Sequence, residues 1–317
     1  MTSDEPPPPT SLSSALTRDV VILDGGLATE LERRGFDVSS DLWSAALLRD
    51  APAAVRDTHA AYFRAGARVA TTASYQASFE GFAAAGLDAA EAERLMRRSV
   101  GLAAQARHDE GLDGRAWVAA SVGPYGAVLA EGQEYTGDYP APRDTVAGLR
   151  DFHRARLELL LEAGADVLAC ETIPRLAEVE ALVTELDTLG ATAWISLTTV
   201  IDTQGRVRTR RDEDAGEAFA LAGAAPSVVA VGVNCTAPAG VEAAVRLAAE
   251  RSGKPVIAYP NSGETWDGAN RRWVGAPGLD GGDVADWISG GARLVGGCCR
   301  IGPEDIEALA GAVGRLR

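Results

Sequence analysis

From Asp19 onward the chain alternates between two textures, short unbroken apolar runs and longer stretches with apolar positions three and four apart. The short runs occupy Val20–Gly26, Val69–Gln76, Ala116–Pro124, Val167–Pro174, Ala193–Thr198, Val228–Cys235, Pro255–Gly263 and Ala292–Cys299. They are rich in Val, Ile and Ala and lack polar alternation, as expected for parallel strands buried on both faces. Between them, helical spacing covers Asp50–Ala65, Asp88–Asp109, Pro142–Ala163, Arg175–Leu189, Asp212–Ala222, Ala239–Glu250, Asp283–Ser289 and Pro303–Val313. Several of these stretches end in Ala-Gly-Ala, a small-residue stop leading into the next strand. Eight strands alternating with helices predict an α/β fold, a (β/α)8 TIM barrel over residues 19–317. A doubly wound sheet competes with it, but DGGLATEL after the first strand lacks G-x-G-x-x-G spacing. Residues 1–18, with four consecutive prolines, read as a disordered tail whose removal through Ser14 is expected to leave activity intact.

Composition narrows the function classes. With 45 acidic against 30 basic residues, the net charge of −15 argues against nucleic acid or an anionic membrane as partner. No run of about 18 apolar residues occurs, and the acidic N-terminus lacks the basic start of a secretory signal, so a cytoplasmic location is expected. Four cysteines in 317 residues exclude a disulfide-built scaffold.

In a barrel of this kind, reactive groups collect where strands run into their following loops. Those positions hold Asp24, Ser74, Gln76, Tyr125, Glu171, Asn234, Cys235, Asn261, Glu264, Cys298 and Cys299. Three of the four cysteines thus fall on one face. Three convergent thiols suit Zn2+ and leave a fourth position open, although buried cysteines also pack as small apolar residues. The pattern alone fits either. Cys170 alternates with Glu171 along its strand, so the two should face opposite ways and Cys170 should pack. His59, His108 and His153 lie in helical stretches and read as surface or satisfied residues rather than ligands.

The motifs DGGLATEL (Asp24–Leu31), SYQAS (Ser74–Ser78), CETIP (Cys170–Pro174), GVNC (Gly232–Cys235), YPNSGE (Tyr259–Glu264) and GGCCR (Gly296–Arg300) stand in this order. Together they resemble the homocysteine S-methyltransferase family, from Asp19 to the end of the chain. GVNC followed by GGCC is the specific part. The resemblance implies a (β/α)8 barrel binding one Zn2+ through Cys235, Cys298 and Cys299, and methylation of homocysteine to methionine. It also implies carboxylates at the substrate ammonium, for which Asp24 and Glu171 are the matching residues. Gly25 and Gly26 could offer amides to the substrate carboxylate or serve tight-turn geometry, while Gln76, Tyr125 and Asn234 would orient the donor or the metal surroundings, or else serve packing and loop hydrogen bonding.

Such a site makes chemical sense. A free thiol is mostly protonated at neutral pH, and metal binding deprotonates it. Three cysteine thiolates make the centre negative, which favours a cationic sulfonium donor and needs positioning more than a general base. The chain has no room for a folate or cobalamin module, and its architecture resembles members that use S-methylmethionine or S-adenosylmethionine. The absence of a nucleotide-binding fingerprint points to S-methylmethionine. Alternatives are selenocysteine or another small thiol as acceptor, betaine as donor, and a non-catalytic zinc- and thiol-based redox sensor that would tolerate loss of Asp24 or Glu171. A monomer or small homo-oligomer is expected.

Overall fold

The structure, a computed structural model, describes residues 11–38, 44–267, 272–275 and 281–316. Eight parallel strands form the barrel: β1 (Val21–Ile22), β2 (Val69–Thr71), β3 (Trp117–Val122), β4 (Val167–Ile173), β5 (Ala193–Leu197), β6 (Val228–Asn234), β7 (Val256–Tyr259) and β8 (Ala292–Val295). They pair in the order β1-β8-β7-β6-β5-β4-β3-β2. Closure between β1 and β2 comes from a Leu23–Val69 bridge, with Arg68 N–H donating to the Ile22 carbonyl at 2.8 Å. All eight apolar runs therefore contain a barrel strand, as the (β/α)8 reading requires.

Strand alternation divides the core into two shells. Leu23, Val69, Ala119, Val167, Ala169, Trp194, Ala230, Ile257 and Leu294 fill the barrel interior. The intervening residues, among them Ala70, Leu168, Cys170, Ile195 and Val231, pack outward against the helices. Cys170 is accordingly a fully buried packing residue on the opposite face from Glu171.

Helix starts follow their caps more closely than their apolar spacing. The fourth strand's preceding helix begins at Val146 instead of Pro142, because Thr145 Oγ1 accepts the Gly148 N–H and caps it there. Ala-Gly-Ala does end helices at Gly66 and Gly164, both at positive φ. At Ala222–Ala224 it stays helical: a Cβ on Gly223 would lie 2.5 Å from the Ser252 carbonyl oxygen, so that glycine serves close helix packing. Short helices at Leu27–Arg33, Ser44–Asp50, Phe79–Ala84 and Tyr125–Leu129 lie in stretches too brief to show a period.

The disordered reading of residues 1–18 requires correction, with residues 1–10 lying outside the described residues. Leu12–Leu16 form a helix capped by Ser11, and Leu12 and Leu16 are buried with the barrel interior cluster. Two leucines four apart, after a capping serine, close the end of the barrel opposite the C-terminal ends of the strands. Removal through Ser14 would take Leu12 from this plug. Leu16→Ala is expected to cost about 2–4 kcal/mol, measurable as a lower urea midpoint with an unchanged m value.

No helix among the described residues is long and apolar enough to cross a membrane.

Candidate metal centre and substrate cavity

At the C-terminal ends of the strands a cavity of about 920 Å3 opens, and Cys235, Cys298 and Cys299 line it. Their sulfurs all lie within 4.8 Å of one another. The Cys235–Cys299 and Cys298–Cys299 sulfur separations are both 4.0 Å. Cys235 follows β6, while Cys298 and Cys299 follow β8, so closure of the barrel brings together residues more than sixty positions apart.

Each part of this cluster has a local cause. Gly296 and Gly297 run beneath the end of β1: a Cβ on Gly296 would meet Leu23 Cβ at 2.6 Å, and one on Gly297 would meet Ile301 Cγ2 at 2.2 Å. The glycines let the chain pass there, with Gly297 N–H donating to the Asp24 carbonyl at 3.1 Å. The loop after β7 then holds the cysteine pair. Cys298 N–H donates to the Pro260 carbonyl at 2.8 Å, and Cys299 N–H donates to Asn261 Oδ1 at 3.2 Å.

Backbone strain is concentrated beside the cluster. Thr172 has φ 61° and Cys235 φ 45°, left-handed values that cost a non-glycine residue about 1–3 kcal/mol each. Asn234 clamps Thr172. Its Oδ1 accepts the Thr172 N–H at 2.6 Å, and its Nδ2 donates to Thr172 Oγ1 at 2.7 Å. Thr198 Oγ1 secures Cys235 by donating to its carbonyl at 3.1 Å. Asn234 thus lines the cavity but spends its amide on the strands that carry Glu171 and Cys235.

The thiols share charge unevenly. S–H donors from Cys298 and Cys299 hold the Cys235 thiol well below its ordinary range. The same interaction with Cys235 pushes Cys298 and Cys299 well above theirs. A cation is needed to make all three ionise together.

Glu171 projects from β4 into the cavity. Its Oε1 accepts from Ser121 Oγ and its Oε2 contacts the Tyr259 hydroxyl at 2.9 Å. Burial is the main cause that raises its carboxyl to about 7. Tyr259 Oη also lies 2.6 Å from Ser196 Oγ and 3.1 Å from Trp194 Nε1, and Ser196 Oγ lies 2.8 Å from Asn234 Oδ1. A neutral Glu171 supplies a proton to every contact: Glu171 donates to Tyr259, Tyr259 to Ser196, and Ser196 to Asn234. An ionised Glu171 accepts from the Tyr259 hydroxyl and leaves that chain one donor short.

Other predicted site residues have different surroundings. Asp24 is buried, and both carboxylate oxygens are bound at 2.7 Å by Thr71, through its N–H and its hydroxyl. Burial raises Asp24 to about 8, and Thr71 stands between it and the cavity wall. Gly25 and Gly26 line the cavity, but the Gly26 amide is already committed to the Ile301 carbonyl at 2.9 Å. Both glycines serve close approach, since a Cβ would lie 2.5 Å from the Ile301 carbonyl oxygen at Gly25 and 2.6 Å from that of Cys298 at Gly26. Gln76 lines the wall while donating to the Ala127 carbonyl at 3.2 Å.

Tyr125 requires correction. It opens a short helix, and its ring packs with Tyr139 and Phe152 in a separate apolar cluster. Aromatic residues at the cavity are instead Phe36, Tyr75, Tyr135 and Tyr259, accompanied by Glu134. Tyr75 sits inside the SYQAS motif, so its neighbourhood was legible. Glu134 and Tyr135 come from a 3-10 turn at Gln133–Tyr135, which carries no periodic signal.

None of the histidines is at the cysteine cluster. His108 is exposed and contacts Asp113 at 2.6 Å. His153 meets the satisfied alternative, buried with Nε2 against Glu178 at 2.9 Å, whereas His59 meets neither, being buried with neither ring nitrogen partnered among the described residues. Burial drives His59 down to about 4, leaving it neutral.

Comparison with known proteins agrees with this geometry. Residues 21–313 match the family model for homocysteine S-methyltransferase. The chain is 42% identical to homocysteine S-methyltransferase YbgG of Bacillus subtilis over 304 residues, 93% of this chain and 94% of the relative. It is 44% identical to a homocysteine S-methyltransferase of Escherichia coli over 305 residues, covering 92% and 94% of the two chains. Among solved structures, the metallated form of the homocysteine methyltransferase MmuM from Escherichia coli matches with a TM-score of 0.81. That match has 42% identity and covers 93% of this chain and 96% of the other. With one family model spanning nearly the whole chain, full-length relatives above 40% identity and a cysteine cluster able to hold a metal, this enzyme belongs to the homocysteine S-methyltransferase family.

Proposed function

We propose that the protein transfers a methyl group from a sulfonium donor, S-methylmethionine in preference to S-adenosylmethionine, to the thiol of L-homocysteine, forming methionine, and that one Zn2+ per chain serves the reaction. The observation carrying this reading is the cysteine cluster at the base of an acidic cavity. Tetrahedral thiolate ligands at about 2.3 Å from zinc lie about 3.8 Å apart, close to the two 4.0 Å separations. Cys235, Cys298 and Cys299 would hold the ion. When bound, it supplies the charge that keeps the acceptor sulfur a thiolate, while three cysteine thiolates leave that sulfur nucleophilic.

The chain's own residues position the reactants. Ionised Glu171, oriented by Ser121, receives the acceptor ammonium. That cation compensates a carboxylate otherwise disfavoured by burial. Asp24 acts at one remove, holding Thr71 at the wall. Thr198 and Asn261 keep Cys235 and Cys299 in place. The transfer itself breaks the donor's methyl–sulfur bond, the electron pair staying on the departing thioether, as the acceptor thiolate forms its new bond to carbon. Positive and negative charges cancel, so no general base is required.

A donor panel tests the reading. Zinc-loaded protein with homocysteine and S-methylmethionine should yield two methionines per turnover, with S-adenosylmethionine slower and betaine inactive. Methionine formed from betaine, or from none of the three, overturns it. Substituting selenocysteine for homocysteine in the same assay separates the acceptor alternatives.

A further inference from the structure

The wall beside the cysteines carries a carboxylate with one oxygen left without a partner among the described residues. Glu134 lines the cavity with Tyr75 and Tyr135. Its Oε2 is shielded from water and has no hydrogen-bond partner among the described residues. A buried carboxylate oxygen left in that state is costly and calls for a cation. The nearby guanidinium groups are engaged elsewhere. Arg300 binds Glu264 at 3.2 Å. Arg210 lies 5.3 Å from the Tyr135 ring centroid and directs its N–H groups to Thr198 Oγ1.

The same turn reaches the reacting centre, because Tyr135 lines the cavity together with Cys235, Cys298 and Cys299. Whatever cation meets Glu134 therefore sits next to the cluster. Glu32, Asp37 and Glu131 line the same cavity, where Arg300 is the basic residue among those described, so its field favours a ligand of net positive charge. A sulfonium amino acid has that net charge, whereas betaine is neutral overall. A sulfonium also has no N–H to donate, and is recognised by a carboxylate and by aromatic faces.

We propose that Glu134, with Tyr75 and Tyr135, forms the subsite that recognises the positively charged sulfur of the methyl donor and holds it beside the cysteine cluster. This rests on the sulfonium-donor reading above. The donor's charge disappears as its methyl leaves, so attraction to Glu134 favours the bound donor over the neutral thioether product. Such an interaction acts on binding more than on the chemical step.

The test uses metal-loaded full-length enzyme and two ligands of nearly identical shape: S-methylmethionine and 2-amino-5-methylhexanoate, in which CH replaces the sulfonium sulfur. Calorimetry should show the wild type binding the sulfonium at least about tenfold more tightly. Glu134→Gln should remove about tenfold of that preference and raise the donor KM about tenfold, with kcat within about threefold and metal content and homocysteine affinity unchanged. If this variant misfolds, Tyr75→Phe and Tyr75→Leu provide the second test, the ring-preserving change keeping the preference and the aliphatic one lowering it. An enzyme that uses sulfonium donors but retains full charge preference in these variants overturns the subsite alone. A wild type that transfers no methyl from any sulfonium overturns the donor reading together with the subsite.

Discussion

Cys298→Ala should leave a folded protein with almost no bound zinc and methyl transfer reduced by about 1,000-fold or more. The wild type should carry about one zinc per chain. The fold should survive because Cys298 only flanks the interior apolar cluster, whereas the barrel is held by strand pairing and two buried shells. Cys170→Ala is the matched control. It removes a buried thiol from the outer shell, loses some stability through packing, and should keep both zinc and activity. Metal analysis, activity and thermal melting on the same preparations separate the two cases. Full activity in Cys298→Ala, or zinc loss in Cys170→Ala, would contradict the assignment of the centre.

Glu171→Gln should move stability and substrate binding in opposite directions. Its carboxyl is raised from 4.5 to about 7, chiefly by burial. The folded state therefore binds this proton more tightly than the unfolded state. Below pH 4.5 the group costs nothing; the cost grows as pH rises toward 7 and is complete above it. At pH 8 the shift corresponds to about 3 kcal/mol of lost stability in the substrate-free protein. A glutamine amide supplies the missing donor to Tyr259 and lets the Tyr259–Ser196–Asn234 chain complete itself. The variant should therefore be more stable than wild type at pH 8, with the advantage shrinking by pH 5. Its homocysteine KM should rise about 100-fold, because the ammonium loses its counter-charge. Urea denaturation at the two pH values, alongside steady-state kinetics, checks both halves. An unchanged KM would remove Glu171 from acceptor binding, and equal stability at pH 8 would mean that its charge is compensated in the free enzyme.

Glu171 also shows why the site has a stability cost. Positive φ at Thr172 and Cys235, together with a carboxylate disfavoured by burial, lies within one ring of strand ends. The outer shell and the Leu12–Leu16 plug offset that cost from outside the cavity.

Much of this was already present in local patterning. Parallel strands buried on both faces must be apolar throughout, so all eight announced themselves as unbroken runs. The helices between them displayed their period, and the three cysteines could be placed on one face because strand ends in this fold share a common side. Cys170 and Glu171 were separable by alternation alone. Local pattern could not say which way a side chain turns once its strand has ended. Tyr125 and Tyr75 both follow strands, yet a short helix turns Tyr125 into a satellite cluster while Tyr75 stays at the cavity. Gly25 and Gly26 resembled an anion-binding turn, but the Cys298–Ile301 loop lies too close for any Cβ and already takes the Gly26 amide. Leu12 and Leu16 were hidden by their polar, proline-rich surroundings, because only the open end of a barrel makes two leucines worth ordering. Sequence alone determined the architecture and the placing of three cysteines on one face, which depend on periodicity and strand order. Tertiary structure decided the partners of Asp24, Asn234, Glu134 and Tyr135, because burial, strain and hydrogen-bond supply arise only when distant segments meet.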